Sequence, residues 1–195
     1  MNLNEREKRM LEQVSELLKE TVACQYINHT KKVIDYCEML GAEENANMEL
    51  LIPAAILHDV GRCKDNGLVG HVEKGLPIAK EILTLNHYSD EKIDLILKAV
   101  AEHHVDLPQI MPSTIEGQVL LDADRMEIVG KYGMARWLLS FDVTISPQKA
   151  CQLWLDLSIR RVAGRKTFFC TDTGEKIGYQ NFEFCEKFCK DIING

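Results

Sequence analysis

The segment Pro53-Ala54-Ala55-Ile56-Leu57-His58-Asp59-Val60-Gly61-Arg62 places an imidazole and a carboxylate at the end of an apolar helical run. Such a run predicts a helix inside the protein, with Pro53 in its first turn and Gly61 just beyond its end. An ionised carboxylate that is buried without a partner costs several kcal/mol. The sequence therefore predicts that Asp59 lies beside a compensating cation, either a metal ion or an Arg or Lys side chain.

A second pair of acids occurs in an equally apolar context. Asp122 and Asp124 belong to the segment Leu120-Leu121-Asp122-Ala123-Asp124-Arg125. Because this segment also has the pattern of a buried helix, these carboxylates need partners as well.

The histidines are concentrated at predicted helix positions between residues 29 and 104, and only His87 lies in a polar loop. A single histidine on an apolar face is more often a hydrogen-bonded core residue than a ligand. The pairing of His58 with Asp59 favours a metal site instead. Imidazole and carboxylate ligands without thiolates suit Mn, Fe, Co or Ni better than structural zinc. The helix-position histidines are His29, His58, His71, His103 and His104.

Hydrophobic periodicity predicts an all-α protein in one domain, residues 1–195. The capping-box pair Ser113 and Glu116 predicts a helix start, and Gly130 and Gly133 predict a bend in the helix that follows. A short extended stretch is predicted for residues 166–171, followed by a turn at residues 172–174. The predicted helices lie within residues 10–18, 24–40, 53–60, 72–85, 89–104, 119–137, 147–163 and 174–192.

Composition limits the classes of function. The 195 residues are 46% hydrophobic and 27% charged, as in an ordinary globular protein. The net charge of −7 gives no long-range attraction to a long nucleic acid, although small phosphorylated ligands stay open. Seven cysteines without a Cys-x-x-Cys pair predict free thiols in a reducing cytoplasm. A charged start and the lack of a long apolar run predict neither a signal peptide nor a membrane partner.

His29, the His58-Asp59 pair and Asp124 within Ala123-Asp124-Arg125 stand in the order H…HD…D. This pattern resembles the HD-domain superfamily of metal-dependent phosphohydrolases. The flanking phrases are similar to those of small bacterial HD hydrolases that carry an Asp-Ala-Asp-Arg phrase. The flanks are found at residues 71–75, 100–104, 114–117, 122–126 and 170–176.

The resemblance implies an HD-domain helical bundle, with a motif core at about residues 21–140 and C-terminal helices at about residues 146–195 packed on it. It implies one or two divalent ions of Mn, Fe, Co, Ni or Mg. Asp122 would lie beside a metal ligand or on the helix surface, with the alternative that Asp122 is itself a ligand. The implied ligands of the first ion are His29, His58, Asp59 and Asp124, and those of a second ion are His71 and His103 with Asp59 as a bridge. In a one-metal enzyme, His71 and His103 would instead hydrogen-bond the metal-bound water and the substrate phosphate. His104 could join the second group or hydrogen-bond nearby.

The implied reaction is attack on phosphorus by a hydroxide held on the metal. Asp59 would orient this nucleophile or accept its proton, and His103 would act in catalysis as a histidine that protonates the leaving oxygen. The candidates for binding the substrate are Arg62, Lys64, Arg125 and His104. Each of the three cations has the alternative of a solvated charge, and Arg125 also that of a pair with Glu116 or Asp122.

The function expected from these residues is hydrolysis of a small phosphate ester, with a nucleotide as one candidate and with monoester and diester both open. A di-iron HD-fold oxygenase and a non-catalytic nucleotide-binding regulator are the alternatives. The expected partner is a small phosphorylated substrate, and a homodimer stays open.

Overall fold

The computed structural model describes residues 1–19, 26–63, 70–103, 111–140, 144–163 and 168–195, leaving out the side chains of residue 26 and residues 159–163. These described residues contain nine α-helices, one short 3-10 helix at Val60–Cys63 and no strand, which confirms the all-α prediction. The α-helices are α1 (Glu5–Leu18), α2 (Tyr26–Glu43), α3 (Met48–Leu57), α4 (His71–Leu85), α5 (Asp90–Glu102), α6 (Ile115–Val129), α7 (Lys131–Leu139), α8 (Pro147–Ala163) and α9 (Asp172–Asn194).

Helix α3 starts earlier than the sequence predicts. The side chain of Asn47 accepts a hydrogen bond from the backbone N–H of Glu49 and thereby caps the helix. Pro53 therefore lies inside the helix, and the prediction that it occupies the first turn is wrong. The cap satisfies an N–H group that the first turn of a helix leaves without a partner, so the helix extends back to Met48.

The start of α6 also differs from the prediction. Thr114, not Ser113, is the capping residue, and its hydroxyl accepts a hydrogen bond from the backbone N–H of Gly117 at 3.1 Å. Ser113 instead donates from its backbone N–H and its hydroxyl to Glu102 at the end of α5. These hydrogen bonds connect the start of α6 to the end of α5. His103 is the residue that directly follows α5.

The central element is α3, whose residues 50–57 are all buried. It packs against α1, α2, α5 and α6, and so it delivers the following residues, His58 and Asp59, into the protein interior. The 3-10 helix then packs against α4. Gly61 permits this close approach, because a Cβ atom on it would overlap the backbone oxygen of His71 and the backbone of Gly75.

The C-terminal helices are attached through α6. Asp122 is 0% exposed and accepts hydrogen bonds from the backbone N–H groups of Cys170 and Thr171 and from the Thr171 hydroxyl, at 2.7 to 2.8 Å. Arg125 donates to the backbone oxygen of Phe168, and its guanidinium lies 4.9 Å from the centre of the Phe168 ring. Asp122 therefore does not lie on the helix surface, and it holds the segment that leads into α9.

The start of helix α9 also differs from the prediction. Residues 172–174 form the first turn of α9 rather than a turn before it, because Thr171 caps the helix at Gly174. Of the predicted extended stretch, only residues 168–171 are described, and they are bends. The single bent helix predicted at residues 119–137 is instead two helices, because Gly130 is extended, with ψ 178°, and ends α6 before α7 begins at Lys131. Among the described helices, none is long and apolar enough to cross a lipid bilayer.

Candidate metal centre

Five elements of the fold each bring part of one buried cluster. His29 lies on α2, His58 and Asp59 follow α3, and Asp124 lies on α6. His71 begins α4 and His103 follows α5. Each of these residues other than Asp124 is at most 4% exposed, and the Asp124 side chain is 14% exposed. The structure thus brings together all six residues for which a ligand role is predicted.

One side of the cluster is centred on His29. Its Nε2 atom lies 3.2 Å from Nε2 of His58, 3.2 Å from Oδ1 of Asp124 and 3.7 Å from Oδ2 of Asp59. Nε2 of His58 is also 3.7 Å from the same Asp59 oxygen. Ligand atoms of His29, His58 and Asp59 lie close enough together to hold one ion.

The other side of the cluster uses the second oxygen of Asp59. Oδ1 lies 3.2 Å from Nε2 of His71 and 4.0 Å from Nε2 of His103. These three residues form a second group whose ligand atoms could hold an ion. The Asp59 carboxylate therefore stands between two pairs of imidazoles and presents one oxygen to each pair.

Hydrogen bonds to the main chain set the orientation of two of the rings. Nδ1–H of His58 donates to the carbonyl of Ala55 at 2.8 Å, and Nδ1–H of His103 donates to the carbonyl of Val100 at 2.5 Å. Because a carbonyl oxygen only accepts, the proton of each neutral ring is on Nδ1 and the lone pair is on Nε2. Nε2 is the atom of each ring that faces Asp59, as a metal ligand requires.

Glu127 is a residue of this site that the sequence analysis did not single out. It is 0% exposed, and its Oε2 atom lies 2.7 Å from Nδ1 of His29. Arg136 donates to both of its oxygens, from Nε at 3.0 Å and from Nη2 at 2.8 Å. Glu127 lies three residues after Asp124 on α6, so the two acids are on one face of the helix. This spacing is the signal in the sequence that could have identified Glu127.

The ionisation of the acids and of His29 follows from these contacts. Burial disfavours the charged form of His29, but hydrogen bonds with Asp124 and Glu127 outweigh it and raise its pKa to about 10. Burial also opposes the charged form of Asp59, yet interactions with His58, His71 and Arg62 hold its pKa well below the usual range. The pKa of Asp124 is lowered in the same way against burial, chiefly by the hydrogen bond from His29.

The pKa values of His58 and His103 shift in the opposite direction, to lower values. Burial lowers the pKa of His58, and burial together with the neighbouring His58 lowers the pKa of His103 to about 4. Both rings are therefore neutral at pH 7, which is the form in which histidine binds a metal.

The donor set fits a divalent cation. Oδ1 of Asp59 is buried and accepts no hydrogen bond within the described part of the chain, so it has a lone pair available to a ligand. Mixed imidazole nitrogen and carboxylate oxygen donors suit first-row transition metals. Oδ2 of Asp59 lies 2.7 Å from Nε of Arg62, so the chain also supplies one of the compensating cations that the sequence predicts.

The residues predicted to bind substrate lie in different places. Arg62 is at the edge of the cluster with its side chain 13% exposed, and its Nη2 atom is 3.4 Å from Nε2 of His71. Arg125 contacts Phe168, as described above. Lys64 and His104 lie outside the described residues. The substrate-binding roles of all four stay predictions.

The family model for the HD domain matches residues 26–128, just over half of the chain. This chain belongs to the HD domain family, which confirms the resemblance found from the sequence. The matched residues include those that supply the cluster, from His29 on α2 to Glu127 on α6.

Curated relatives match the same region. The chain is 31% identical to ribonuclease Y of Dehalococcoides mccartyi over 99 residues, which are 50% of this chain and 17% of that protein. It is 32% identical to ribonuclease Y of Staphylococcus epidermidis over 101 residues, which are 51% of this chain and 17% of that protein. The similarity therefore covers less than a fifth of the length of these relatives.

Solved structures match nearly the whole chain. A predicted HD superfamily hydrolase from an uncultured Thermotogales bacterium has a TM-score of 0.71 at 23% identity, over 96% of this chain and 91% of that one. An HD-superfamily hydrolase from Bacillus thuringiensis has a TM-score of 0.72 at 20% identity, over 97% and 95%. Bacillus subtilis YpgQ in complex with ADP has a TM-score of 0.68 at 20% identity, over 95% of each chain. At these identities the likeness establishes the fold.

Proposed function

We propose that this protein is a metal-dependent phosphohydrolase that cleaves a small phosphate ester. The observation that carries the proposal is the position of Asp59, whose two oxygens face two separate pairs of imidazole nitrogens. A shared carboxylate between two nitrogen-rich groups is an arrangement that suits a pair of cations. The membership of the HD domain family supports the same reading.

His29, His58, Asp59 and Asp124 are proposed to hold the first ion, and Asp59, His71 and His103 a second one. The several imidazoles favour Mn, Fe, Co or Ni over Mg, which prefers oxygen ligands. When bound, a divalent cation supplies a nucleophile from water at neutral pH and offsets negative charge on the phosphoryl oxygens.

The chain's own residues would divide the remaining work. Asp59 keeps a lowered pKa, so it suits orienting the attacking water better than accepting its proton. Because the His103 ring is neutral at pH 7, it suits the role of a metal ligand better than that of a proton donor to the leaving oxygen. Arg62 reaches the edge of the cluster and would hold a phosphate oxygen there.

A nucleotide is the first substrate class to test, because the similar structure of YpgQ contains ADP. A short RNA is a second phosphodiester candidate, because the curated relatives are ribonucleases. The net charge of −7 favours the small nucleotide over a long polyanion.

The test is an assay of the chelated and then reloaded protein. Mn²⁺, Co²⁺ or Fe²⁺ is added back, and hydrolysis of ADP, a phosphomonoester, a phosphodiester and a short RNA is followed. Hydrolysis that stops with chelator and returns with metal supports the proposal. His87→Asn is a control that changes a histidine outside the cluster, and it should keep the wild-type activity. His87 is exposed and has a positive φ of 58°, which Asn tolerates.

Two results would contradict the proposal. Iron content with oxygen consumption and without hydrolysis would indicate the di-iron oxygenase. Tight nucleotide binding without turnover under every metal would indicate the regulator.

A further inference from the structure

The buried pair Glu127 and Arg136 touches the proposed metal centre without belonging to either ligand group. We infer that Glu127 and Arg136 together position His29, fixing which of its nitrogens faces the metal and how the ring is turned. The inference rests on the proposed function, because it needs His29 to be a metal ligand. Glu127 and Arg136 are positioning residues, since their contacts run through His29.

The contact to Glu127 selects the nitrogen of His29 that is presented to the cluster. An ionised carboxylate only accepts, so Nδ1–H of His29 donates to Oε2 of Glu127 at 2.7 Å. Nε2 is then directed at His58 and Asp124, 3.2 Å from each. A hydrogen-bond acceptor at the ring nitrogen opposite the metal sets the orientation of a ligating imidazole. It also makes the ring a stronger electron donor to the metal.

The hydrogen bond that orients His29 differs from those that orient His58 and His103. His58 and His103 donate to neutral main-chain carbonyls, whereas His29 donates to a buried anion. A charged acceptor makes the stronger hydrogen bond. Of His29, His58 and His103, His29 is therefore the ring whose metal binding depends most on a side chain outside the cluster.

Arg136 holds the carboxylate of Glu127 in place. Its Nε and Nη2 atoms each donate to a different Glu127 oxygen, which is a two-point contact that opposes rotation of the carboxylate. The guanidinium also offsets a negative charge that is 0% exposed. An unpaired carboxylate at this position would be costly.

The chain path explains how Arg136 reaches Glu127. Helix α6, which carries Glu127, ends at Val129, and α7, which carries Arg136, begins at Lys131. The helical conformation is therefore interrupted at Gly130, between these two residues. A Cβ atom on Gly133 would overlap the backbone oxygen of Glu127 and lie 2.8 Å from that of Ile128. Glycine at this position lets α7 pack directly against the last turn of α6. Arg136, one turn further on, then folds back onto Glu127.

The test uses Co²⁺ as the probe and Glu127→Gln as the variant. The Co²⁺ dissociation constant is expected to rise by about 10- to 100-fold, as for loss of the partner behind a ligand. Exchangeable Nδ1–H protons of Co²⁺-bound histidines give strongly shifted NMR signals. The signal of His29 should move or vanish in the variant, while that of His58 stays.

Asp122→Asn is the matched control, because Asp122 is another buried acid on α6 whose hydrogen bonds go to Cys170 and Thr171. This variant should leave both the Co²⁺ dissociation constant and the His29 signal unchanged. A loss of affinity in Asp122→Asn equal to that in Glu127→Gln would assign the effect to helix α6 as a whole and overturn the inference.

Arg136→Lys keeps the positive charge but removes the two-point contact, and its side chain is partly exposed, so it is the variant to use if Glu127→Gln does not fold. We expect its Co²⁺ affinity to fall between those of the wild type and Glu127→Gln, with the His29 signal shifted. Unchanged affinity and an unchanged signal in Arg136→Lys would overturn the role of Arg136.

The results separate this inference from the proposed function. If the wild-type protein binds no Co²⁺, the proposed metal centre is wrong and the inference fails with it. If the wild type binds Co²⁺ and a folded Glu127→Gln protein binds it equally well with the same His29 signal, only the inference is overturned.

Discussion

Asp59 is the residue on which both halves of the proposed metal centre depend, because each of its oxygens faces a different pair of histidines. We expect Asp59→Ala to abolish metal-dependent hydrolysis while the protein stays folded, since the change also removes a buried charge. Steady-state kinetics together with circular dichroism test this. Activity within about tenfold of the wild type, a barrier change of only about 1.4 kcal/mol, would contradict the role of Asp59.

His29 makes the stability of the metal-free protein depend on pH. Its folded pKa of about 10 lies above the ordinary value of 6.5, so the charged ring is favoured by folding. This contribution is fully present below pH 6.5 and is lost as the pH rises through about 10. Over this window the unfolding free energy of the chelated protein should fall by up to about 1.4 kcal/mol per pH unit relative to His29→Asn.

Urea unfolding at a series of pH values measures this difference. The Asn variant is chosen because its amide can still donate to Glu127 while it has no titrating ring. Parallel pH profiles for the two proteins would show that His29 does not titrate as its contacts imply.

The segment that leads into helix α9 is hydrogen-bonded to one acid of α6. In Asp122→Ala the N–H groups of Cys170 and Thr171 and the Thr171 hydroxyl lose their acceptor. Leaving buried donors unsatisfied costs about 1–3 kcal/mol, so we expect a loss of unfolding free energy of that order. Urea unfolding measures it, and metal titration of the same sample should match the wild type. A variant as stable as the wild type would show that α9 is held by other contacts.

Helix α4 brings His71 to Asp59 through its close packing against the 3-10 helix at Gly61. Because His71 lies beside Oδ1 of Asp59, the oxygen that faces the second pair of imidazoles, we expect up to two equivalents of metal in the wild type and loss of only the weaker one in His71→Ala. Anaerobic metal titration by calorimetry counts the equivalents. Saturation at one equivalent in both proteins would rule out the second ion.

Metal binding should stabilise the whole molecule, because the proposed ligands come from α2, α6 and the starts or ends of α3, α4 and α5. Unfolding separates these elements and destroys the site. At a free metal concentration one hundred times the dissociation constant, the unfolding free energy should increase by about 2.7 kcal/mol for one site. Thermal unfolding with and without chelator measures this, with Asp59→Ala as the control. An equal midpoint in both conditions would argue against a site built from several helices.

Much of the architecture could be read from local pattern. Apolar periodicity predicts the helices, and the apolar run before His58 places a histidine and an acid in the interior, where the structure has them. Helix starts were less predictable, as Asn47 and Thr114 show. Several nearby side chains can cap a helix, and which of them does so depends on its other contacts. Ser113, for example, is hydrogen-bonded to Glu102 and does not cap α6.

The sequence by itself determined the helical class, the family and the residue set of the cluster, because these depend on short-range spacing and residue type. Only the tertiary structure decided which partner each buried charge has. Asp122 pairs with a segment 48 and 49 residues away, and Glu127 pairs with His29 across 98 residues. Such pairs form because helix packing brings distant side chains within hydrogen-bond distance, and burial makes an unpaired charge too costly to leave. No local pattern contains that information.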